Sequence, residues 1–221
     1  MSGDDHSQVY TLHFNQLLVR RDDGKDVLID GVLEAGAVVA VVGSSGGFPT
    51  SVLRTLVEGR SSTAGQVLLN GSPLHPRDTA ILTRQHELLG SLTAAENVLL
   101  VALARGRAVD SWSSIEALLD ALLVPAPSWH NLLEQLSGGQ QQRVAIARTL
   151  FAQSAVMCLD DPVSELDSET AAVIWNVVQR ATSSSAITLV TTHTLKSVPI
   201  ATHVLTEKGL RTLQHDRTNR H

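Results

Sequence analysis

Short apolar runs alternate with longer stretches of helical periodicity along most of the chain. The run Ala37–Gly43 predicts a buried strand, and Ser51–Gly59 has helical spacing that ends at a glycine. Residues Thr63–Leu74 predict a hairpin or an edge-strand region, with Asn70 and Gly71 as the turn signal. This alternation predicts an α/β fold.

The pattern changes between Thr93 and Phe151, where strand-like runs give way to three helical stretches. Strands resume at Ala155–Asp160 and Ala186–His193, with a helical pattern over Asp167–Ala181 between them. A helical lobe is therefore predicted to be inserted between the strands of one core.

Composition and charge indicate an ordinary globular protein and argue against some kinds of binding partner. With 43% hydrophobic residues, the 221-residue chain can bury a full core. A net charge of -5 without a run of Lys or Arg argues against nucleic acid as a partner. The apolar runs are far shorter than the roughly 20 residues that span a bilayer, and the N-terminus lacks a signal pattern. The single cysteine, Cys158, excludes a disulfide within the chain and fits a cytosolic protein.

The most specific motif is the string Leu136, Ser137, Gly138, Gly139 and Gln140, which opens an amphipathic helical pattern. A serine hydroxyl and free backbone N–H groups at a helix start form an anion site. The string resembles the signature motif of the ATP-binding cassette (ABC) family, and further motifs occur in the family's order along nearly the whole chain. The resemblance implies a P-loop NTPase (RecA-like) core with an antiparallel β subdomain and an inserted α-helical subdomain. The core would comprise residues 1–86 and 152–221, and the helical signature lobe 87–151.

The same resemblance implies roles for residues at strand ends. Asp160 would hold Mg²⁺ through a water molecule, and Asp161 would be the catalytic carboxylate that polarises the attacking water. His193 resembles the catalytic switch histidine that senses the γ-phosphate. Gln85 would be the metal-contacting glutamine of the Q-loop, whereas the spacing of small stand-alone subunits places Arg84 there instead.

The phosphate-binding loop departs from the family pattern G-x-x-x-x-G-K-[ST]. Phe48 stands where a glycine lets the backbone approach phosphate, and Pro49 stands where the lysine belongs. Thr50 would supply a hydroxyl to Mg²⁺. At roughly 1.5–3 kcal/mol for each lost contact, ATP binding is expected to weaken by about 10²–10⁴-fold. The ATP-binding residues implied for this loop are Gly43, Ser44, Ser45, Gly46, Gly47, Phe48, Pro49, Thr50 and Ser51.

The sequence departs from the family pattern at two further positions, the catalytic carboxylate and the residue that stacks on adenine. Asp161 is one methylene shorter than the glutamate that the family pattern carries, which would misplace a catalytic group. An aromatic residue that stacks on adenine is expected near Val19–Arg21, where Arg20 and Arg21 would have to stack instead.

The departures affect the phosphate loop and the catalytic carboxylate, whereas the signature string is intact. ATP sites in this family are composite, with the phosphate loop of one subunit facing the signature of the other. The favoured interpretation is the degenerate half of an asymmetric dimer with a second ABC ATPase subunit. The pair would couple ATP to an integral membrane permease, as a peripheral complex on the cytoplasmic face of the membrane.

Two alternatives stay open. One is a homodimeric ATPase in which Arg54, one turn into the following helix, supplies the missing charge. The other is a soluble regulatory ABC protein without a permease. Chain length and signature resemble the stand-alone ATPases of lipoprotein, macrolide and cell-division exporters, but the substrate and the direction of transport are not encoded in these motifs.

Overall fold

The computed structural model describes residues 9–43, 47–58, 62–107 and 112–214. Strands and helices alternate along these ranges, as the hydrophobic pattern predicts. The strands are β1 Thr11–Arg20, β2 Asp26–Glu34, β3 Val38–Val42, β4 Ser62–Leu69, β5 Ser72–Pro73, β6 Thr79–Leu82, β7 Val156–Asp160, β8 Ile187–Thr192, β9 His203–Thr206 and β10 Gly209–Thr212. The helices are α1 Phe48–Glu58, α2 Ala94–Ala104, α3 Trp112–Ala121, α4 Gly138–Phe151 and α5 Ser168–Ser185.

The first sheet is antiparallel, with strands in the order β2-β1-β4-β5. β4 and β5 form the predicted hairpin, and its turn residues Asn70 and Gly71 both have positive φ, at 51° and 79°. Position 65 on β4 also requires glycine, because a Cβ on Gly65 would lie 2.1 Å from the carbonyl oxygen of Gln16. The packing of β4 on β1 therefore depends on that missing side chain.

The second sheet has the order β10-β9-β3-β8-β7-β6. Its central strands are parallel, and only β10 runs antiparallel to its neighbour β9. β3, β7 and β8 are buried on both faces, which explains their continuous apolar sequences. Because these three strands are parallel neighbours, their carboxyl ends lie along one edge of the sheet.

Helices α2, α3 and α4 lie between β6 and β7 in the chain and pack on one another. Their apolar faces, which include Ile115, Leu119 and Val144, join the core that covers one face of the second sheet. The helical insertion is thus present, while its limits at residues 87 and 151 stay a prediction. None of the helices in the described ranges combines the length and the apolarity that a bilayer crossing requires.

Helix α1 begins at Phe48, three residues before the predicted start at Ser51. Phe48 is 1% exposed and packs with Val52 and Leu56 in the core between the two sheets. Pro49 is compatible with this start, because the first N–H groups of a helix have no partner within the helix. A buried aromatic side chain thus extends the helix into the phosphate-loop sequence.

Candidate nucleotide site

The predicted site residues meet at the carboxyl edge of the second sheet. Asp160 ends β7 and pairs in register with Thr191 of β8, while Val42 of β3 pairs with Thr192. His193 follows directly and is exposed. A cavity of about 10 Å³ at this edge is lined by Gly43, Pro49, Thr50, Arg84, Thr191, Thr192 and His193.

Thr191 contacts both acidic residues at the end of β7. Its hydroxyl donates to Oδ1 of Asp160 at 2.5 Å and accepts the backbone N–H of Asp161 at 3.1 Å. Asp161 has a φ of 52°, and the hydroxyl of Ser164 donates to its carbonyl oxygen at 3.1 Å. Each carboxylate side chain is 17% exposed. Thr191 therefore holds the side chain of Asp160 and the backbone of Asp161 at the strand end.

Arg84 contacts both carboxylates. Its Nε lies 3.3 Å from Oδ1 of Asp160, and its Nη2 lies 3.7 Å from Oδ2 of Asp161. Gln85 is exposed and does not line the cavity of about 190 Å³ in front of the carboxylates. Of the two residues that sequence spacing left open for the Q-loop position, Arg84 is the one whose side chain faces the carboxylate pair.

The phosphate loop is described at Gly43 and from Gly47 to Ser51; Ser44, Ser45 and Gly46 lie outside the described residues. Pro49 is buried at the start of α1. A Cβ on Gly43 would lie 2.8 Å from Cδ of Pro49, so the proline ring packs tightly against the end of β3. The cavity beside it has room for about one water molecule. In its described part, the loop thus has a buried proline ring at the position of the motif's lysine.

The signature string forms the start of α4, as predicted. Ser137 is the N-cap: its Oγ accepts the N–H of Gln140 at 3.3 Å, and its own N–H donates to Oε1 of Gln140 at 2.8 Å. Ser137 and Gly138 are exposed, and Gly139 is half-buried. The capping box fixes the first turn, so the positive end of the helix dipole is presented to solvent.

Sequence reasoning missed Arg148, which connects α4 to the loop that carries Arg84. Its Nη1 donates to the carbonyl oxygen of Glu87 at 2.7 Å, and its Nη2 donates to that of His86 at 2.6 Å. Burial lowers the pKa of Arg148 below its ordinary value. A lone arginine in the apolar helical pattern was the available signal, because a buried cation needs acceptors.

The two arginines that were expected to replace the adenine-stacking aromatic are engaged in ion pairs. Arg20 contacts Asp26 at 2.8 Å, and Arg21 contacts Glu207 at 2.7 Å and Asp23 at 3.2 Å. The hydrogen bond from Arg20 is the largest cause that lowers the pKa of Asp26. Stacking on a base would compete with these contacts.

Comparison with known proteins decides the family. A family model described as ABC transporter matches residues 29–164. The chain belongs to the ABC transporter family. This ABC cassette is 37% identical over 176 residues to the lipoprotein-releasing system ATP-binding protein LolD 1 of Rhodopirellula baltica, covering 74% of this chain and 76% of that protein. It is 34% identical over 194 residues to the phosphonates import ATP-binding protein PhnC 1 of a Synechococcus species, covering 79% and 73%.

The fold of this ABC cassette is also that of solved ABC ATPase structures. It superimposes on the dimeric, post-hydrolysis structure of the ATP-binding cassette MJ0796 bound to ADP and phosphate with a TM-score of 0.75. The alignment covers 93% of this chain and 99% of that chain at 22% identity. The predicted P-loop NTPase fold class is therefore confirmed.

Proposed function

We propose that this ABC cassette is the degenerate half of an asymmetric nucleotide-binding dimer. It would supply its signature helix to ATP that is bound mainly by a second, competent ATPase subunit. The observation that carries the proposal is the contrast between the two motifs. In the phosphate loop, Phe48 and Pro49 are buried at the positions of the motif's glycine and lysine, whereas the signature helix has an exposed, capped start at Ser137.

The chain's own phosphate loop lacks two of the groups with which the motif binds ATP. Pro49 provides neither a side-chain cation nor a backbone N–H, and its ring packs against Gly43. Phe48 is committed to the core, so its backbone cannot be approached as a glycine's can. Arg54 of α1 does not replace the missing lysine charge, because it is exposed and does not line the cavity at the loop. This weighs against the homodimeric alternative.

The signature helix, in contrast, keeps what an anion requires. Ser137 caps α4 and remains exposed, and the N–H groups of the first turn lack partners within the helix. Ser137, Gly138, Gly139 and Gln140 would contact the γ-phosphate of ATP on the partner subunit. The nucleotide in that composite site would carry its Mg²⁺ on the partner's residues.

The partners we propose are an integral membrane permease and a different ABC ATPase chain. The relatives are named for lipoprotein release and for phosphonate import, so they differ in direction and substrate. We therefore assign this chain neither a substrate nor a direction. Its attachment to the cytoplasmic face of a membrane would be peripheral and would depend on the permease.

The test is ATP hydrolysis by the native complex, purified through this chain and carrying single substitutions. We expect Ser137→Arg to lower turnover by about 10²-fold or more, because it places a long cation at the phosphate-facing helix start. We expect Asp161→Asn to leave turnover nearly unchanged, because the productive carboxylate belongs to the partner.

Ser72→Arg is the matched control, since Ser72 is exposed on β5 in the other sheet. Each variant is compared at equal amounts of assembled complex, measured by size-exclusion chromatography. Loss of turnover in Asp161→Asn together with normal turnover in Ser137→Arg would reverse the two roles and refute the proposal.

A further inference from the structure

We propose that the guanidinium of Arg84 takes the place of the divalent cation at Asp160 and Asp161, so that this carboxylate pair does not bind Mg²⁺. The inference deepens the proposed function, since both treat the chain's own site as degenerate, but it concerns a different group of atoms. It also replaces the metal-binding roles that the family resemblance implies for Thr50, Gln85 and Asp160.

The carboxylate oxygen of Asp160 that faces Arg84 is already engaged. Oδ1 of Asp160 accepts the hydroxyl of Thr191 at 2.5 Å and faces Nε of Arg84 at 3.3 Å. Mg²⁺ demands near-octahedral oxygen ligands at about 2.0–2.1 Å. An ion held by Asp160, directly or through a water molecule, would stand close to the guanidinium, and the two like charges would repel each other.

The side chain of Arg84 suits a carboxylate pair. A guanidinium carries one positive charge and a planar set of N–H donors that match carboxylate oxygens. One such cation facing two carboxylates leaves a single net negative charge. The electrostatic attraction that a divalent ion would find at an uncompensated pair is thus reduced.

The backbone that carries Arg84 is anchored independently. Arg148 of α4 holds the carbonyl oxygens of His86 and Glu87, and both of these residues have positive φ, at 59° and 47°. The anchored turn positions Arg84 directly beside β7. The acidic pair therefore has Arg84 as its cation.

The experiment measures metal binding by the isolated chain, without nucleotide or partner. Mn²⁺ is titrated into the protein, and free Mn²⁺ is followed by electron paramagnetic resonance, while thermal unfolding is recorded with and without excess Mg²⁺. For the wild type we expect no bound Mn²⁺ and no change in Tm with Mg²⁺. For Arg84→Gln we expect one bound Mn²⁺ per chain and a Tm that Mg²⁺ raises by about 2–4 °C.

Arg54→Gln is the matched control: it removes the same charge from an exposed position on α1, and should behave as the wild type. Adding Asp160→Asn to Arg84→Gln should abolish the gained Mn²⁺ site. The inference is overturned if the wild type binds Mn²⁺ in a way that Asp160→Asn removes, or if folded Arg84→Gln gains no site. The wild-type titration decides the first point even if Arg84→Gln does not fold.

These outcomes are separable from those of the proposed function. Metal binding by the isolated wild-type chain would overturn the role of Arg84 and leave the effect of Ser137→Arg on the complex untouched. Conversely, a complex that is silenced by Asp161→Asn but not by Ser137→Arg would refute the asymmetric assignment and would say nothing about Mn²⁺ binding by the isolated chain.

Discussion

Phe48 shows how one residue changes the use of a motif position. In the family pattern this position is a glycine, whose value lies in having no side chain near phosphate. Here the phenyl ring is 1% exposed and belongs to the core formed by α1 and the two sheets. The side chain of Phe48 therefore stabilises the core at a position where the motif has a glycine for nucleotide binding. One residue cannot fill both roles.

We expect Phe48→Gly to lower the free energy of unfolding by about 3–5 kcal/mol, because it empties a buried aromatic site. Phe48→Leu, which keeps most of the apolar volume, should cost about 1.5 kcal/mol or less. Urea unfolding followed by circular dichroism measures both. A Phe48→Gly protein as stable as Phe48→Leu would show that the ring does not support the core. Restoring the glycine therefore weakens the fold before it can improve ATP binding.

At the scale of elements, the sequence predicts best what is locally encoded. β3, β7 and β8 are continuous apolar runs because both of their faces are buried, and all three were predicted. β1 was not predicted, because the bulge at Gln16, with a φ of 49°, shifts the alternation of buried residues between Phe14 and Leu17. β6, β9 and β10 have four residues each, too short for a period to be recognised.

The candidate site was predictable to the same extent. Asp160, Asp161 and His193 could be placed at strand ends, because order along the chain fixes the edge of a parallel sheet. The choice between Arg84 and Gln85 could not be made from spacing, because it depends on contacts between distant elements. Arg148 lies more than sixty residues further along the chain and anchors the turn that decides which side chain faces β7.

This anchoring makes a prediction for the turn at residues 84–87. We expect Arg148→Met to remove two charge-assisted hydrogen bonds and to raise amide hydrogen exchange in this turn by about tenfold or more. Exchange within β7 and β8 should stay slow, because both strands remain buried. Arg180→Met is the control, since Arg180 is an exposed arginine on α5. Equal exchange in the two variants would mean that the turn is ordered without Arg148.

At the scale of the whole molecule, the cassette contains two unequal sets of motif residues. One set is the phosphate loop with Phe48 and Pro49, together with the carboxylates paired with Arg84; the other is the capped start of α4. If two copies of this chain formed the dimer, both composite sites would contain a loop with Phe48 and Pro49. If it pairs with an intact cassette, one site combines an intact phosphate loop with this chain's signature. Only the second arrangement provides a complete site.

We therefore expect the native complex to contain one copy of this chain and one copy of a different ATPase chain. The measurement is native mass spectrometry of the complex extracted from membranes in mild detergent through an affinity tag on this chain. As a control, an untagged copy of this chain, distinguishable by mass, is expressed in the same cells and should not be recovered with the tagged one. Recovery of the untagged copy in an active complex that lacks any other ATP-binding chain would establish a homodimer. A loop with Phe48 and Pro49 would then have to be compatible with hydrolysis, and the assignment of this cassette as the degenerate half would be wrong.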